Sequence, residues 1–384
     1  VVAVAGIAVL GIHAVATGQT FGDPLPGLTA EQLALFRDGK LDFEEVETNN
    51  EGLGPTFNAR GCAQCHSLPA TGGASVQNNE VRAGRIVNGT YVDLPGGSLF
   101  QISSIAPTSK CREQIPPEAN VISFRQTQPL FGMGLIEAIP EATIRAQADP
   151  ADRNGDGISG RAASVFDPAT SGTRLGRFGW KAQVATLLTF SGDAYLNEMG
   201  ITNDLFSEEN APNGDMARLQ ACDVMPDVED HADSATGLRG IDLFENFMRF
   251  LAPPPRGKIT ADVMQGEAIF GAIGCATCHT PVMTTGRNAI AALDQVPVAL
   301  FSDLLLHDVG TGDGIPQADA GPYEFRTTPL WGLLASRPFL HDGSAATIEK
   351  AIRRHGGEAS AVTANFLALS KREQDLLVTF LESL

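Results

Sequence analysis

Positive charge is scarce in this chain of 384 residues: 27 Lys and Arg face 45 Asp and Glu, for a formal net charge of -18. That balance excludes nucleic acid and anionic membrane surfaces as ordinary partners, since both would repel it at short range. A small basic electron carrier would be attracted, although an acidic surface also serves simple solubility. Charge of either sign is absent from the first nineteen residues, VVAVAGIAVLGIHAVATGQ, which contain the small-residue triplet Ala14, Val15 and Ala16. This is the pattern of a signal-peptide core and cleavage site, without a basic leader or initiator methionine before it. Kept in place, residues 1–20 have marginal length for a spanning helix and would act as a membrane anchor. Low-complexity sequence is absent too, and 43% hydrophobic residues are enough to build real cores.

Against these absences one pattern occurs twice. GCAQCHSLP begins at Gly61 and GCATCHTP at Gly274, so Cys62, Cys65 and His66 are repeated as Cys275, Cys278 and His279. Two cysteines three apart on one turn can each add to a haem vinyl group, and the following histidine then sits beneath the iron as its proximal ligand. Zinc sites usually gather four ligands close in sequence, and a redox dithiol does not require the histidine. Two covalently bound c-type haems are therefore expected. Covalent haem attachment in bacteria follows export, which agrees with the signal-like start and points to the periplasm. The remaining pair, Cys111 and Cys222, reads as a disulfide in an oxidising compartment, with a catalytic cysteine as the alternative.

The proline-rich break LAPPPRGK at residues 251–258 ends one helical pattern and precedes another. It divides the chain into an N-terminal haem domain with large insertions, 21–252, and a C-terminal cytochrome c domain, 256–384. With 41 Gly and 23 Pro, long loops surround the helices. The expected fold is mainly α with long loops: two cytochrome c-like domains, each carrying one covalently attached haem. In DRNGDGISGR, residues 152–161, Asp152, Asn154 and Asp156 alternate ahead of Gly157, as in the first part of a calcium loop. The distal glutamate is missing, with Ala163 in the region, so calcium and a capped polar turn both fit.

A haem iron with one protein ligand can bind a substrate, whereas one with two transfers electrons and does little chemistry. Outside the motifs the histidines are His13, His231, His307, His341 and His355. His355 lies at the end of a helix that Thr347 or Ser344 would cap, with Arg353 and Arg354 in its last turn and Gly356 and Gly357 beyond.

Several stretches together resemble the di-haem oxidoreductase family, often labelled thiol oxidoreductase and related to the bacterial di-haem cytochrome c peroxidases. They are GLGPTFNARGCAQCHSLPATGG, PLFGMGLIEAIPEA, NGDGISGR, LGRFGWKA, FMRFLAPPPRG, SDLLLHDVG and FRTTPLWGLLASRPFLHDGSAATIEKAI with HGGEA after it. In those peroxidases a methionine fourteen residues after a motif histidine is the second ligand of the C-terminal haem. Here that spacing leads from His341 to His355, so the resemblance implies a bis-histidine second haem, His279 and His355. His307 and His341 would lie close to it. The usual removable histidine of the first haem has no counterpart in ASVQNNEVRAGRIVNGTY, which holds neither His nor Met. The resemblance thus implies an open first haem. It also puts a catalytic glutamate roughly at Glu137 and its partner glutamine roughly at Arg125, Gln126 or Gln128, with Tyr91, Trp180 and Trp331 as candidate bridges for electrons.

The leading expectation is a periplasmic di-haem oxidoreductase of peroxidase type, with electrons entering at the C-terminal haem and a small cytochrome or cupredoxin as partner. The alternative is a non-catalytic di-haem electron-transfer subunit of a larger, membrane-associated complex. Oxidation of an organic or protein substrate is a third reading, because fold and cofactor support several chemistries.

Overall fold

The computed structural model describes residues 18–76, 80–105, 110–223 and 225–384, so the signal-like residues 1–17 and His13 lie outside the described residues. Helix α1 (Ala30–Glu44) begins with a capping box in which Thr29 and Gln32 satisfy each other's backbone N–H groups. Helices α2 (Met133–Ala138), α3 (Glu141–Arg145), α4 (Leu187–Met199), α5 (Met216–Cys222) and α6 (Gly240–Phe250) follow. Beyond the prolines come α7 (Ala261–Ile273), α8 (Ile348–Arg353), α9 (Ser360–Ala368) and α10 (Lys371–Glu382). No helix among the described residues is long and apolar enough to cross a membrane.

In each half, the helix ahead of the Cys-x-x-Cys-His motif crosses the last helix of that half at a glycine. A Cβ on Gly39 of α1 would collide with the backbone oxygen of Leu243 in α6, and one on Gly266 of α7 with that of Leu376 in α10. Only a bare backbone allows so close an approach, and aromatic rings interlock around it. Phe36 and Phe43 lie 5.4 and 4.8 Å from Phe247 between ring centroids, and Phe270 lies 5.3 Å from Phe380.

The two largest hydrophobic cores grow from these crossings. The C-terminal core holds Val263, Phe270, Phe301, Phe366 and Phe380. The N-terminal core holds Phe36, Phe43, Phe244 and Phe247, but it also takes in Met283, Val298, Leu300, Leu305 and Trp331 from beyond the proline break. The prolines therefore separate two helix pairs, while the loop after the second motif reaches back into the first core.

Strands are more prominent than a mainly α reading foresees. Strand β1 (Thr56–Phe57) pairs antiparallel with β5 (Ser103–Ser104). Strand β2 (Glu80–Val87) pairs antiparallel with β3 (Thr90–Val92), β4 (Leu99–Phe100) and β6 (Val121–Arg125) to make a four-stranded sheet. Side chains alternate across β2: Val81 and Ala83 are buried on one face, while Glu80 and Arg82 sit opposite Arg125 and Ser123 on the other. Strands β7 (Ser164–Asp167) and β8 (Gly172–Leu175) form a hairpin, and β9 (Met283–Thr284) with β10 (Pro297–Val298) and β11 (Leu306–His307) with β12 (Phe325–Arg326) are two-residue pairs.

Cys111 and Cys222 are joined in a disulfide across a sequence separation of 111 residues, tying the loop before β6 to the end of α5. The glycine crossings give a direct test within one helix. Gly266→Ala should destabilise by about 1 to 3 kcal/mol, because overpacking against a backbone has no side chain to move aside. Gly271→Ala, with nothing within 4 Å of its Cβ, should be neutral or stabilising by up to about 1 kcal/mol. Denaturant unfolding of the haem-loaded protein measures both.

Candidate functional site

Each Cys-x-x-Cys-His motif folds as a tight turn that closes on its own histidine. The His66 amide donates to the Cys62 carbonyl at 3.0 Å, and the His279 amide to the Cys275 carbonyl at 3.0 Å. The Nδ1 of His66 is 3.1 Å from the Gly73 oxygen, and that of His279 is 3.0 Å from the Phe301 oxygen. A carbonyl only accepts, so Nδ1 carries the proton and the Nε2 lone pair is left for a metal. Burial pushes both imidazoles down to about 4; the proximity of His355 adds to the effect at His279, and backbone hydrogen bonds oppose it at both. Both are neutral at pH 7, as ligation requires. Burial also pushes the Cys275 thiol up to about 12 and raises that of Cys62, which disfavours the thiolates of a zinc site.

Beyond this shared geometry the two motifs differ. His355 follows α8 as the sequence predicts, after a Thr347 cap that accepts from Lys350 N at 3.2 Å. Its Nδ1 lies 2.8 Å from the Ala351 oxygen, so it too keeps Nε2 free, and it is close enough to His279 for the two charges to interact. His66 opens instead on a cavity of about 400 Å³, in whose lining it is the only histidine among the described residues. One part of the lining is apolar, with Phe43, Leu130, Phe131 and Phe244. Another is a polar cluster that includes Glu80, Arg82, Arg125, Asp193 and Glu198.

Arg125, Gln126 and Gln128 reach this cavity. Arg125 is fully buried and fixed: its Nε donates to Asp313 at 2.8 Å and its Nη1 to Gln317 at 2.6 Å. Gln128 receives a long contact of 3.5 Å from Arg326 Nη2. Glu137, in contrast, is absent from the cavity lining. Met133 and Ile136 of α2 take the cavity side, and the next residue is turned about 100° around the helix. Its Oε1 accepts from the Leu187 amide at 2.7 Å, and Oε2 stands 3.6 Å from Arg249. Glu137 is thus an anionic cap on the N-terminus of α4.

The acidic groups that do reach the cavity were missed in the sequence. Phe190, Asp193, Ala194, Asn197 and Glu198 recur at helical spacing and form the cavity face of α4. The signal was present: in LLTFSGDAYLNEM, Asp193, Asn197 and Glu198 fall on one face of the helix. Glu80 and Arg82 come from the inward face of β2, whose alternation was not read either.

The calcium expectation for Asp152, Asn154 and Asp156 gains no support. Asp152 accepts from Gly157 N at 3.2 Å, Asn154 from Asp156 N at 3.0 Å and Asp156 from Ile158 N at 2.9 Å, so these oxygens serve the loop's own amides. This is the capped polar turn. Its continuation docks on the second motif: Ser159 donates through N and Oγ to Glu358, which also accepts from His307 at 2.9 Å. His307 is clamped between Glu358 and Asp303, each at 2.9 Å, with Cys278 Sγ at 3.9 Å. Burial opposes its charge, but the bonds to Asp303, Cys278 and Glu358 prevail and raise it to about 12.

Two buried guanidinium groups test the fit of an anionic cofactor. Arg177 lines the cavity with 3% exposure; its Nη1 donates to the Ile136, Glu137 and Ile139 carbonyls at 3.0, 2.9 and 2.8 Å, while its Nε lacks a hydrogen bond. Arg256 lies over Phe301 and Phe380, beside the His279 pocket; its three guanidinium nitrogens make no hydrogen bond, and the Glu267 carboxylate is 3.9 Å away. A buried guanidinium nitrogen without an acceptor is costly. The propionates of a haem at each motif would supply those acceptors, so the residues present fit the group.

The family model described as "Di-haem oxidoreductase, putative peroxidase" matches residues 105–384. The chain belongs to the di-haem oxidoreductase family. It is 31% identical over 150 residues to cytochrome-c peroxidase IdrP2 of Pseudomonas sp. (strain SCT), covering 33% of this chain and 40% of that protein. It is 31% identical over 141 residues to the methylamine utilization protein MauG of Methylorubrum extorquens, covering 33% of this chain and 35% of that one. The match thus spans well under half the length of either curated relative. Among solved structures, the diheme peroxidase BthA Y463M variant of Burkholderia thailandensis aligns over 91% of this chain and 85% of its own, with 15% identity and a TM-score of 0.43. The family implies two c-type haems for this di-haem oxidoreductase.

Trp180 and Trp331 both line the cavity, whereas Tyr91 lies against Gly84 in the sheet and bonds Asp93, outside the lining. The capping contact of Glu137 has a measurable consequence. Glu137→Gln should cost about 1 kcal/mol of stability through loss of the charged cap, visible as a lower Tm, with the haem content of the di-haem oxidoreductase preserved.

Proposed function

We propose that this di-haem oxidoreductase is a periplasmic enzyme of peroxidase type, in which electrons enter at the His279 site and pass to the His66 site, where peroxide or a similar small oxidant is reduced. The observation that carries the reading is the asymmetry of the motifs: two imidazoles come together at the second, while the first faces a cavity of about 400 Å³ with no other histidine among the described residues. When bound, the two haems supply the one-electron chemistry. The chain's own residues hold and surround them. Cys62, Cys65, Cys275 and Cys278 would anchor the rings, His66, His279 and His355 would present Nε2, and Arg177 and Arg256 would meet propionates.

The residues between the halves are packed for transfer. Trp331 belongs to the N-terminal core although it comes from the C-terminal half, and Trp180 stands edge-on to Phe325 and His341, at 6.2 and 6.3 Å between ring centroids. The disulfide supports an oxidising compartment. The net charge of -18 favours a basic donor such as a small cytochrome or a cupredoxin, and residues 1–20 would provide a membrane anchor. The relative named as a cytochrome-c peroxidase supports the reaction class.

A second reading also has an observation behind it. Met133, Met199 and Met248 line the same cavity, and a thioether taking the second position at His66 would make the protein an electron-transfer subunit. Electron paramagnetic resonance of the oxidised, haem-loaded protein separates the two. The enzyme reading expects one high-spin and one low-spin ferric signal, with only the high-spin one changed by peroxide and with His355→Ala abolishing the low-spin one. Two low-spin signals indifferent to peroxide would overturn it.

A further inference from the structure

We infer that the polar turn at residues 152–161, acting through His307, positions His279 and His355, so that a segment of the N-terminal half sets the ligand pair of the C-terminal haem. The inference rests on one part of the proposed reading, that those two imidazoles share the second haem, and it does not depend on peroxide turnover. It gives the turn that carries Asp152, Asn154 and Asp156 a role other than holding a cation.

The two ligand-bearing segments meet on one stretch of chain, residues 301–310. Its first part holds the motif: the Asp303 amide donates to the Cys278 carbonyl at 2.8 Å, and the Phe301 oxygen lies 3.0 Å from His279 Nδ1. Its last part holds the segment after His355: the Gly356 amide donates to the Val309 carbonyl at 2.7 Å, and the Glu358 amide to that of Asp308 at 2.9 Å. A Cβ on Gly357 would collide with the Asp308 oxygen, so the two backbones touch. His307, 4% exposed, is the cross-piece. Its Nε2 faces Asp303 Oδ2 and its Nδ1 faces Glu358 Oε2, each at 2.9 Å, with Cys278 Sγ at 3.9 Å. Ionised carboxylates only accept, so both ring nitrogens donate. One imidazolium thus joins the stretch bonded to His279 to the residue three places beyond His355.

What keeps that ring in place comes from the other half of the chain. Arg161 and Leu306 exchange both backbone hydrogen bonds, at 3.1 and 2.9 Å, which lays the end of the turn along β11. Ser159 gives its amide and its hydroxyl to Glu358 at 2.9 and 3.1 Å. Gly160 lies against the imidazole itself: a Cβ there would collide with His307 Cε1 and stand 2.8 Å from Nε2. The side chains of Asp152, Asn154 and Asp156 accept from the amides of Gly157, Asp156 and Ile158, and so hold the turn in the shape that presents Ser159 and Gly160. Altering a group that orients a metal ligand from behind typically costs about ten- to a hundredfold in metal affinity.

The test uses the full haem-loaded chain with cyanide as the probe, because cyanide competes with a protein ligand for ferric iron. The quantity read is the cyanide concentration that removes half of the low-spin bis-imidazole signal in electron paramagnetic resonance of the oxidised protein. Gly160→Ala pushes His307 aside without deleting a bond or a charge, and should lower that concentration about tenfold, with two haems per chain and the signal of the first haem unchanged. Ser159→Ala should move it in the same direction, and Ser159→Thr, which keeps the hydroxyl, should behave as wild type. Gly172→Ala in β8, whose Cβ would meet nothing closer than 3.8 Å, is the control and should leave the concentration unmoved. A shift below about threefold in Gly160→Ala, or an equal shift in Gly172→Ala, overturns the inference. If Gly160→Ala does not fold, the Ser159 pair decides, and a Ser159→Ala protein that matches Ser159→Thr overturns it. A wild type without a bis-imidazole signal overturns the reading of His355 and the inference together. A wild type that shows the signal but turns over no peroxide loses the peroxidase reading alone, and the cyanide titration still decides the inference.

Discussion

The molecule depends on two close helix crossings. Gly39 lets α1 lie against α6, and Gly266 lets α7 lie against α10, in both cases with the backbone of one helix touching that of the other. Each crossing fixes a group of aromatic rings beneath a motif histidine: Phe43 is 6.0 Å from His66 between ring centroids, and Phe270 is 6.4 Å from His279. The histidine ring then has one apolar side and one edge bonded to a carbonyl, which leaves a single direction for Nε2. The same local solution serves both halves, and the functional difference arises in what lies on the other side.

That difference is made by segments far apart in sequence. At the second motif, α8 and the glycines after it deliver His355. At the first, β2, β6 and α4 deliver arginines, glutamines and carboxylates. Burying so many charges is tolerated because they alternate in sign along a connected path: Glu80 lies between Arg82 and Arg125, Arg125 pairs with Asp313 at 2.7 Å, and Asp313 stands 3.4 Å from Lys181. Asp313 belongs to the C-terminal half, so the path that balances the cavity also joins the halves. Arg161 adds a second link through Asp319 and Glu324.

What was legible in the sequence was chemistry whose geometry is local. The haem motifs, the helix leading to His355 and the proline break all follow from residues within a turn or two of one another, and the disulfide from an even remainder of cysteines. Glu137 could be placed only roughly, because one step along α2 turns a side chain from the cavity to the end of α4, and a family spacing that departs by a few residues cannot resolve one step. Asp152, Asn154 and Asp156 were ambiguous for a related reason: alternate oxygens before a glycine suit an ion and the loop's own amides equally well. Arg82 and Glu80 were hidden because β2 shows its polar face inward, against the usual expectation that charges on a strand point to solvent.

Helix α4 explains how the polar wall keeps its register with the first haem motif. Its N-terminus is held by Thr186, which accepts from Thr189 N at 3.3 Å, and by Glu137. Its last turn is held by the segment that leads directly into Cys62: the Asn58 and Ala59 amides donate to the Glu198 carbonyl at 2.8 and 3.2 Å, and the Gly54 amide to Met199 at 3.0 Å. These bonds satisfy carbonyls that a helix end would otherwise leave unpaired. Asn58 also bonds the Glu198 carboxylate, so one short segment sets both the entry to the first motif and the position of a carboxylate on the cavity wall. Building the cavity wall and the first motif from the two ends of one hydrogen-bonded segment leaves little freedom for either to shift against the other.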